Sequence, residues 1–460
     1  MNRTNPPRDE GSYLSPQCPC GAHSSMQEHR IELGAALQAQ DYIGEDQHID
    51  RSIETAVVRA LFPLDESRRK LIAAVGAGTL MAAISQVFPL KTAQAAAKDP
   101  LPPEKSKVTM GYVPITCTVP MLLAEARGEY AKEGLSVNLA RTPGWSLVRD
   151  NLVNGNFDAS HLVLGMPLTM TLGIGSPRIK TFTSLVQNIN GDALALHMKH
   201  KGNRDPKNWK GFRFGIPHDH SMHAMLLRYY LAENGLDPDR DVELRVFPPP
   251  DSLANMAAGN LDGMFFAEPW NQRAVFEGVA FLQTLSADIF PGHPCCVLSV
   301  TEKFITENPN TYGAMFRAVA RAGAYADVYE NRGEVAELLA AKAFLNQPLP
   351  VLQQVLSGRY PDGLGNIVER KDRIGFKSFP HEATGIWLLT QLKRWGIVPK
   401  DVNVTAVARE VFLATDARKR LKEMGLDAPA AFTGRYKVMG KEFDAARPEA
   451  YLDSFAIRRT

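Results

Sequence analysis

Residues 107–163 read KVTMGYVPITCTVPMLLAEARGEYAKEGLSVNLARTPGWSLVRDNLVNGNFDASHLV. Lys107–Pro114 predicts a short strand. Val119–Gly134 follows with Leu122, Leu123, Ala126 and Tyr130 on one helical face and Gly134 as its stop. Leu135, Val137 and Leu139 then alternate as in a strand, a helix is expected over Ser146–Val153 with a stop near Gly155, and Phe157–Val163 returns to a sheet. Strands and helices taking turns place successive strands parallel, with helices across their faces.

The rhythm restarts at Phe212–Ile216, with a helix over about Ser221–Asn234 and a strand over Val242–Phe247, so two α/β units are present. Helices dominate beyond Glu302, over Thr311–Glu330, Arg332–Ala343 and Ala383–Trp395, and the remaining segment is expected to wrap irregularly. No internal repeat has a fixed period. A chain of 460 residues, 45% hydrophobic and 22% charged, with 35 Gly and 31 Pro scattered along it, sustains more than one buried interior. Two α/β units with ligand groups at their strand ends leave a cleft between them, a common place for a small-molecule site. The 52 basic and 50 acidic side chains nearly cancel, to +2, which gives no electrostatic reason to expect nucleic acid as partner. Five cysteines in this length do not make a disulfide framework.

The first hundred residues differ in kind. Ser67-Arg68-Arg69-Lys70 leads into the mildly apolar Leu71–Leu90 (LIAAVGAGTLMAAISQVFPL), and Ala93-Gln94-Ala95 supplies small residues where a signal peptidase needs them. This order, over residues 67–97, resembles a twin-arginine export signal. It makes the twin-arginine translocase an expected partner and the periplasm the expected location, with attachment to the inner membrane wherever the signal is not cleaved. Residues 1–66 are a leader of unassigned role, in which Ile49, Ile53, Val57, Ala60 and Leu61 keep helical spacing. Cys18, Cys20 and His23 lie there without C-x-x-C spacing or a second pair, so a plain leader is the expectation rather than a metal site.

Pro248–Asn271 (PPPDSLANMAAGNLDGMFFAEPWN) resembles the signature run of the nitrate and bicarbonate solute-binding proteins of ABC importers. Other pieces follow in that family's order: residues 111–135 (GYVPITCTVPMLLAEARGEYAKEGL), 142–153 (TPGWSLVRDNLV), 187–196 (QNINGDALAL) and 223–239 (HAMLLRYYLAENGLDPD). The likeness runs from Lys107 to near Pro399. It implies an α/β, type II periplasmic-binding-protein fold, with lobe 1 over 107–197 and 298–395, lobe 2 over 198–297, a C-terminal wrap over 396–460, and ligand held between the lobes. It also implies a binder that delivers a small oxyanion, nitrate or nitrite first, to an ABC permease driven by ATPase subunits. Such a binder has no catalytic residue, and no cofactor and no metal is expected.

Carried across residue by residue, the resemblance places an indole donor at Trp145, a carboxamide at Gln187 with Asn188 as the one-residue alternative, an imidazole at His223, and a backbone N–H at Ala267, where the family usually has glycine. An indole N–H donates without adding charge. On the first turn of a helix, His223 would act together with free backbone N–H groups. Glu268 reads as a structural lobe acid more than as a contact. Cys117 stands where many relatives carry an acidic residue, with simple packing as the plainer reading.

The departure from the family comes at Phe290-Pro291-Gly292. Nitrate binders carry a lysine, and bicarbonate binders an acidic residue, a little before the pair matching His293-Pro294; this sequence has neither. A missing cation removes a charge-assisted bond of about 1.5–3 kcal/mol, so bicarbonate, cyanate and organosulfonates stay open beside nitrate. His218 and His220 (in HDHSMH) are loop histidines or, with Asp219, a metal cluster. Cys295-Cys296 reads as buried strand, and nothing in the sequence joins it to Cys117. Two other classes share the outline. A cytoplasmic nitrate sensor holding a regulatory partner would not need Arg68-Arg69. An enzyme resembling the pyrimidine synthase of thiamine biosynthesis is least favoured, since that family has a denser cysteine run and little use for an export signal.

Overall fold

The computed structural model describes residues 101–429 and 434–459, all within one compact unit spanning Lys91–Thr460. The leader, the arginine pair and the apolar run Leu71–Leu90 lie outside the described residues, and so do the expectations attached to them. Among the described residues no helix is long and apolar enough to cross a membrane.

Two five-stranded sheets carry the fold. In chain order the strands are β1 (Lys107–Tyr112), β2 (Ser136–Arg141), β3 (Ala159–Val163), β4 (Thr181–Val186), the two-residue β5 (Ile189–Asn190), β6 (Asp192–His197), β7 (Arg213–Ile216), β8 (Glu243–Val246), β9 (Gly263–Ala267), β10 (Ala280–Leu285) and β11 (Cys296–Thr301). The first sheet is ordered β2-β1-β3-β11-β4 and the second β10-β6-β9-β7-β8. In each, three strands run parallel, and a strand arriving from the other lobe is inserted antiparallel: β11 beside β3, β6 beside β9. The inserted and central strands β3 (ASHLV), β9 (GMFFA) and β11 (CVLSVT) are buried along their whole length, as sheets covered on both faces require, while β2 and β8 sit at edges and expose charged residues.

The expected helix over 119–134 is two pieces. Helix α1 (Val119–Ala126) ends before Gly128, whose left-handed φ of 67° starts a separate turn at Glu129–Lys132. Four further helices matter below: α2 (Trp145–Val153), α3 (Gly165–Leu172), α4 (Met222–Glu233) and α5 (Pro309–Asp327), which packs on α1, with Leu122, Leu123, Met315 and Val319 in one buried cluster. The segment after 395 is more regular than expected, with helices at Val404–Val411, Ala414–Glu423 and Pro448–Asp453 and a hairpin of Arg435–Val438 with Lys441–Asp444. Its apolar side chains Val438, Phe443 and Tyr451 are buried, and the Tyr451 hydroxyl lies 3.0 Å from that of Tyr229 on α4.

The chain crosses to the second sheet between Val186 and Asp192 and returns between Leu285 and Cys296. The boundaries drawn at 197/198 and 297/298 therefore shift: residues 192–197 pair with β9 and β10 in the second sheet, and β11 begins at Cys296. An apolar run such as DALALH suits either sheet, and only pairing decides which. The crossings lie side by side. Ile189 bridges Pro294, β5 pairs with Ile374–Gly375, and the Asn190 side chain accepts from the Gly292 N–H and donates to the Asp372 carbonyl, both at 2.8 Å.

The lobes also meet directly. The Thr116 N–H and hydroxyl both donate to the Glu268 carbonyl, at 2.7 and 2.8 Å. At the start of α3, a Cβ on Gly165 would stand 1.7 Å from the His220 carbonyl oxygen, so only glycine permits this approach. Gly165→Ala is expected to hold the lobes apart, raising the radius of gyration seen by small-angle scattering. An unchanged profile would show that the 218–221 loop yields and that this contact does not set closure.

Candidate functional site

Four side chains with unpartnered buried polar atoms, Trp145, His161, Gln187 and His223, lie on α2, β3, the first crossing and α4. Trp145 is the first residue of α2, after an extended Gly144, and its indole is buried with no partner for Nε1 among the described residues. Its ring centroid lies 6.0 Å from that of His161 on β3 and 6.5 Å from that of His223 on α4. His223 follows the Ser221 cap, whose hydroxyl accepts from the Ala224 N–H and so fixes the start of α4. Both nitrogens of His161 and Nδ1 of His223 are buried and unpartnered.

Gln187 begins the first crossing. Its N–H donates to the Cys296 carbonyl at 2.9 Å, while both ends of its carboxamide are buried without a partner. Asn188, the alternative, is consumed by the fold: Nδ2 donates to the Asn190 carbonyl and Oδ1 accepts from the Cys296 N–H. Ala267 ends β9 directly opposite Asp192. Trp145 and His223 are thus neighbours, Ala267 lies across from the Asp192 that meets His223, Gln187 joins them through the Cys296 backbone, and Asn188 serves the backbone. Buried polar groups almost always find partners, which makes the unpartnered atoms of Trp145, His161, Gln187 and His223 candidate ligand contacts.

Glu268 is tied elsewhere. Its carboxylate accepts from Arg373 at 2.5 Å and from the Gln272 N–H at 2.9 Å, with the Arg373 guanidinium lying 3.8 Å from the Tyr360 ring centroid. That is a structural ion pair. His218 accepts from the His220 N–H, and His220 meets the Thr169 hydroxyl at 3.1 Å. Among the described residues, His218, His220 and His223 do not converge as ligands.

Asp192, His161 and His293, which the sequence reading did not name as ligand groups, lie beside these residues. Asp192 stands 3.1 Å from His223 Nε2, accepts from the Cys295 thiol at 3.1 Å, and leaves Oδ2 without a partner. His293 lies 3.7 Å from that free oxygen and, like His161, is buried. Cys117, in the turn after β1, meets Cys295, with the sulfurs 3.5 Å apart, and Cys295 meets Cys296 at the same distance. The only signals for His161 and Asp192 were a histidine inside an apolar strand and an acid following a glycine. Nothing local signals a contact between residues 117 and 295.

Burial lowers the His161 pKa to about 3, with His223 adding repulsion, so that ring is neutral. Burial would lower His223 as well, but Asp192, 3.1 Å away, outweighs it and the imidazole is raised. Burial opposes ionisation of Cys117, yet hydrogen bonds from Cys295 and Cys296 bring it down to about 6, while burial and their neighbours push those two thiols up.

Comparison with known proteins agrees with this architecture. The bicarbonate transport ATP-binding protein CmpC of Synechocystis is 32% identical over 376 residues, covering 77% of this chain and 56% of that protein, so the chain spans little more than half of that relative. The nitrate/nitrite binding protein NrtA of Nostoc is 28% identical over 385 residues, 77% of this chain and 87% of the relative. The crystal structure of the periplasmic nitrate-binding protein NrtA from Synechocystis superposes with a TM-score of 0.75 at 25% identity, covering 78% of this chain and all of that one. The fold is thus that of the periplasmic binding proteins, as expected. Residues 101–340, just over half of the sequence, match the model of the NMT1-like family, and the chain belongs to that family.

Proposed function

We propose that this protein is an extracytoplasmic solute-binding protein that captures a small oxyanion, nitrate or nitrite first, and delivers it to an ABC permease and its ATPase subunits. The observation that supports it is the set of buried, unpartnered donors, Trp145 Nε1, the Gln187 carboxamide and His223 Nδ1, gathered at the crossing between two lobes. The first turns of α2 and α4 add free backbone N–H groups and the positive ends of two helices. With lysine absent, the anion is held by neutral donors and by one imidazole already balanced by Asp192. Ligand contacts from both lobes would favour the closed arrangement. Export by the twin-arginine route, suggested by Arg68-Arg69, belongs to this reading, as does a periplasmic location.

Calorimetric titration of the full chain with nitrate, nitrite, bicarbonate, cyanate and a small alkanesulfonate tests it. Saturable heat with nitrate or nitrite is expected. A thermogram flat for all five would count decisively against an oxyanion binder, and heat with bicarbonate alone would move the assignment to that anion.

A further inference from the structure

We propose that Cys117, Cys295 and Cys296 form a buried thiolate site for one thiophilic d10 cation, zinc(II) or copper(I), with the Asp192–His223 pair supplying the fourth position. The sequence carries no recognised metal motif, and the ligands come from three separate places: the turn after β1, the return crossing into β11, and the second lobe. All five residues are buried. The ligand atoms of Cys117, Cys295 and Cys296 lie within 4.8 Å of one another, and so do those of Asp192, His223 and Cys295, the two groups sharing Cys295. The thiol cluster stands without the oxyanion reading, but the two share His223, whose Nε2 faces Cys295 and Asp192 while Nδ1 is unpartnered.

Geometry favours a single ion. With metal–sulfur bonds of about 2.3 Å, tetrahedral ligands place sulfurs about 3.8 Å apart. The Cys117–Cys295 and Cys295–Cys296 sulfur separations are both 3.5 Å, and His223 Nε2 stands 3.4 Å from the Cys295 sulfur. A shift of a few tenths of an ångström opens the cluster around an ion. Three thiols select soft and borderline cations over magnesium or calcium, which take oxygen ligands.

Electrostatics points the same way. A carboxyl buried beside three thiols needs partners, and among the described residues the ionisable basic groups in contact with Asp192 are two imidazoles, His223 at 3.1 Å and His293 at 3.7 Å. Asp192 Oδ2 and the ring nitrogens His293 Nε2 and His223 Nδ1 have no partner among the described residues. The buried guanidinium of Arg373 is already committed to Glu268 and Gln272. On binding, each ligating thiol would lose its proton to solvent as a sulfur–metal bond forms, with no change in oxidation state. The ion would join residues of both lobes and the crossing between them, so it would bear on closure as well as on stability.

The test uses the full chain, reduced and under argon, with Cys18→Ser and Cys20→Ser so that leader thiols do not compete. Three probes are titrated alone: zinc(II) and copper(I), each against a chromogenic chelator, and cobalt(II) as a spectroscopic stand-in for zinc. Uptake of one ion per chain is expected, with a sulfur-to-cobalt charge-transfer band and protection of the three remaining thiols from a disulfide reagent. Cys117→Ser and Cys295→Ser are each expected to weaken zinc affinity by about 100-fold or more. If a variant fails to fold, the cobalt spectrum and thiol protection of the parent protein still decide. The site is overturned by absence of stoichiometric uptake, by a cobalt spectrum without thiolate bands, by unchanged affinity in folded cysteine variants, or by a Cys117–Cys295 disulfide in the protein as purified from cells.

Discussion

Glu268→Ala is expected to destabilise the second lobe by about 3–5 kcal/mol, because it strands a buried guanidinium. Arg373 and Glu268 are 1% and 0% exposed, and Arg373 also donates to Gln272 Oε1 at 2.9 Å. Removing the carboxylate leaves that cation inside an apolar setting with one neutral amide and the Tyr360 ring for company. The Gln272 N–H loses its acceptor too. Urea denaturation of the variant, followed by circular dichroism, reads the effect as a lower midpoint. Replacing both partners, Glu268→Met with Arg373→Met, is expected to recover much of the loss, since the pair's own desolvation cost disappears with it. A single variant as stable as the parent would show that water reaches the pair and that the burial described here does not hold in solution.

The largest effect on binding is expected at His223. His223→Ala removes a buried donor and leaves Asp192 as an uncompensated carboxylate facing the incoming anion. Losing one partner of a buried charge pair costs about 2–5 kcal/mol, which is roughly 30-fold to 5,000-fold in affinity for nitrate. Trp145→Phe is a milder companion. It keeps the ring and deletes only the Nε1 donor, so about a tenfold loss is expected. Calorimetry on both variants distinguishes the roles. Wild-type affinity in His223→Ala would remove this histidine from the binding site, and unchanged affinity in Trp145→Phe would reduce the indole to packing.

The architecture was legible because it rests on local periodicity. Strand β1, helix α2, strand β7 and helix α4 each appear where alternation or helical spacing puts them, within a few residues of their observed ends. Gly128 split one expected helix, since a left-handed residue between two apolar turns looks like helix until its φ is known. The segment after 395 was harder. Its hairpin and helices are short, and they are held by burial of Val438, Phe443 and Tyr451 against the rest of the unit rather than by strong patterns of their own.

The candidate site divides along the same line. Trp145, Gln187, His223 and Ala267 are expectations from sequence because each sits in a run whose order resembles a known family, and the Asn188 side chain, bonded to backbone at both ends, leaves Gln187 as the candidate of the two. Asp192, His161 and His293 escaped notice because a single buried polar residue carries no periodic signature. The cysteines are the clearest case. Cys117 and Cys295 are 178 positions apart and touch at 3.5 Å, a contact made only when the return crossing is laid beside the end of β1.

Sequence alone therefore determined the alternation of strands and helices, the family likeness and the loss of a lysine near His293, all of which are written in short stretches of chain. Tertiary structure alone decided which sheet receives β6, which donors are left unpartnered, and that three thiols, a carboxylate and an imidazole share one buried space. The physical reason is that periodicity records which face of an element is buried, whereas convergence depends on where the two crossings place residues that are distant along the chain.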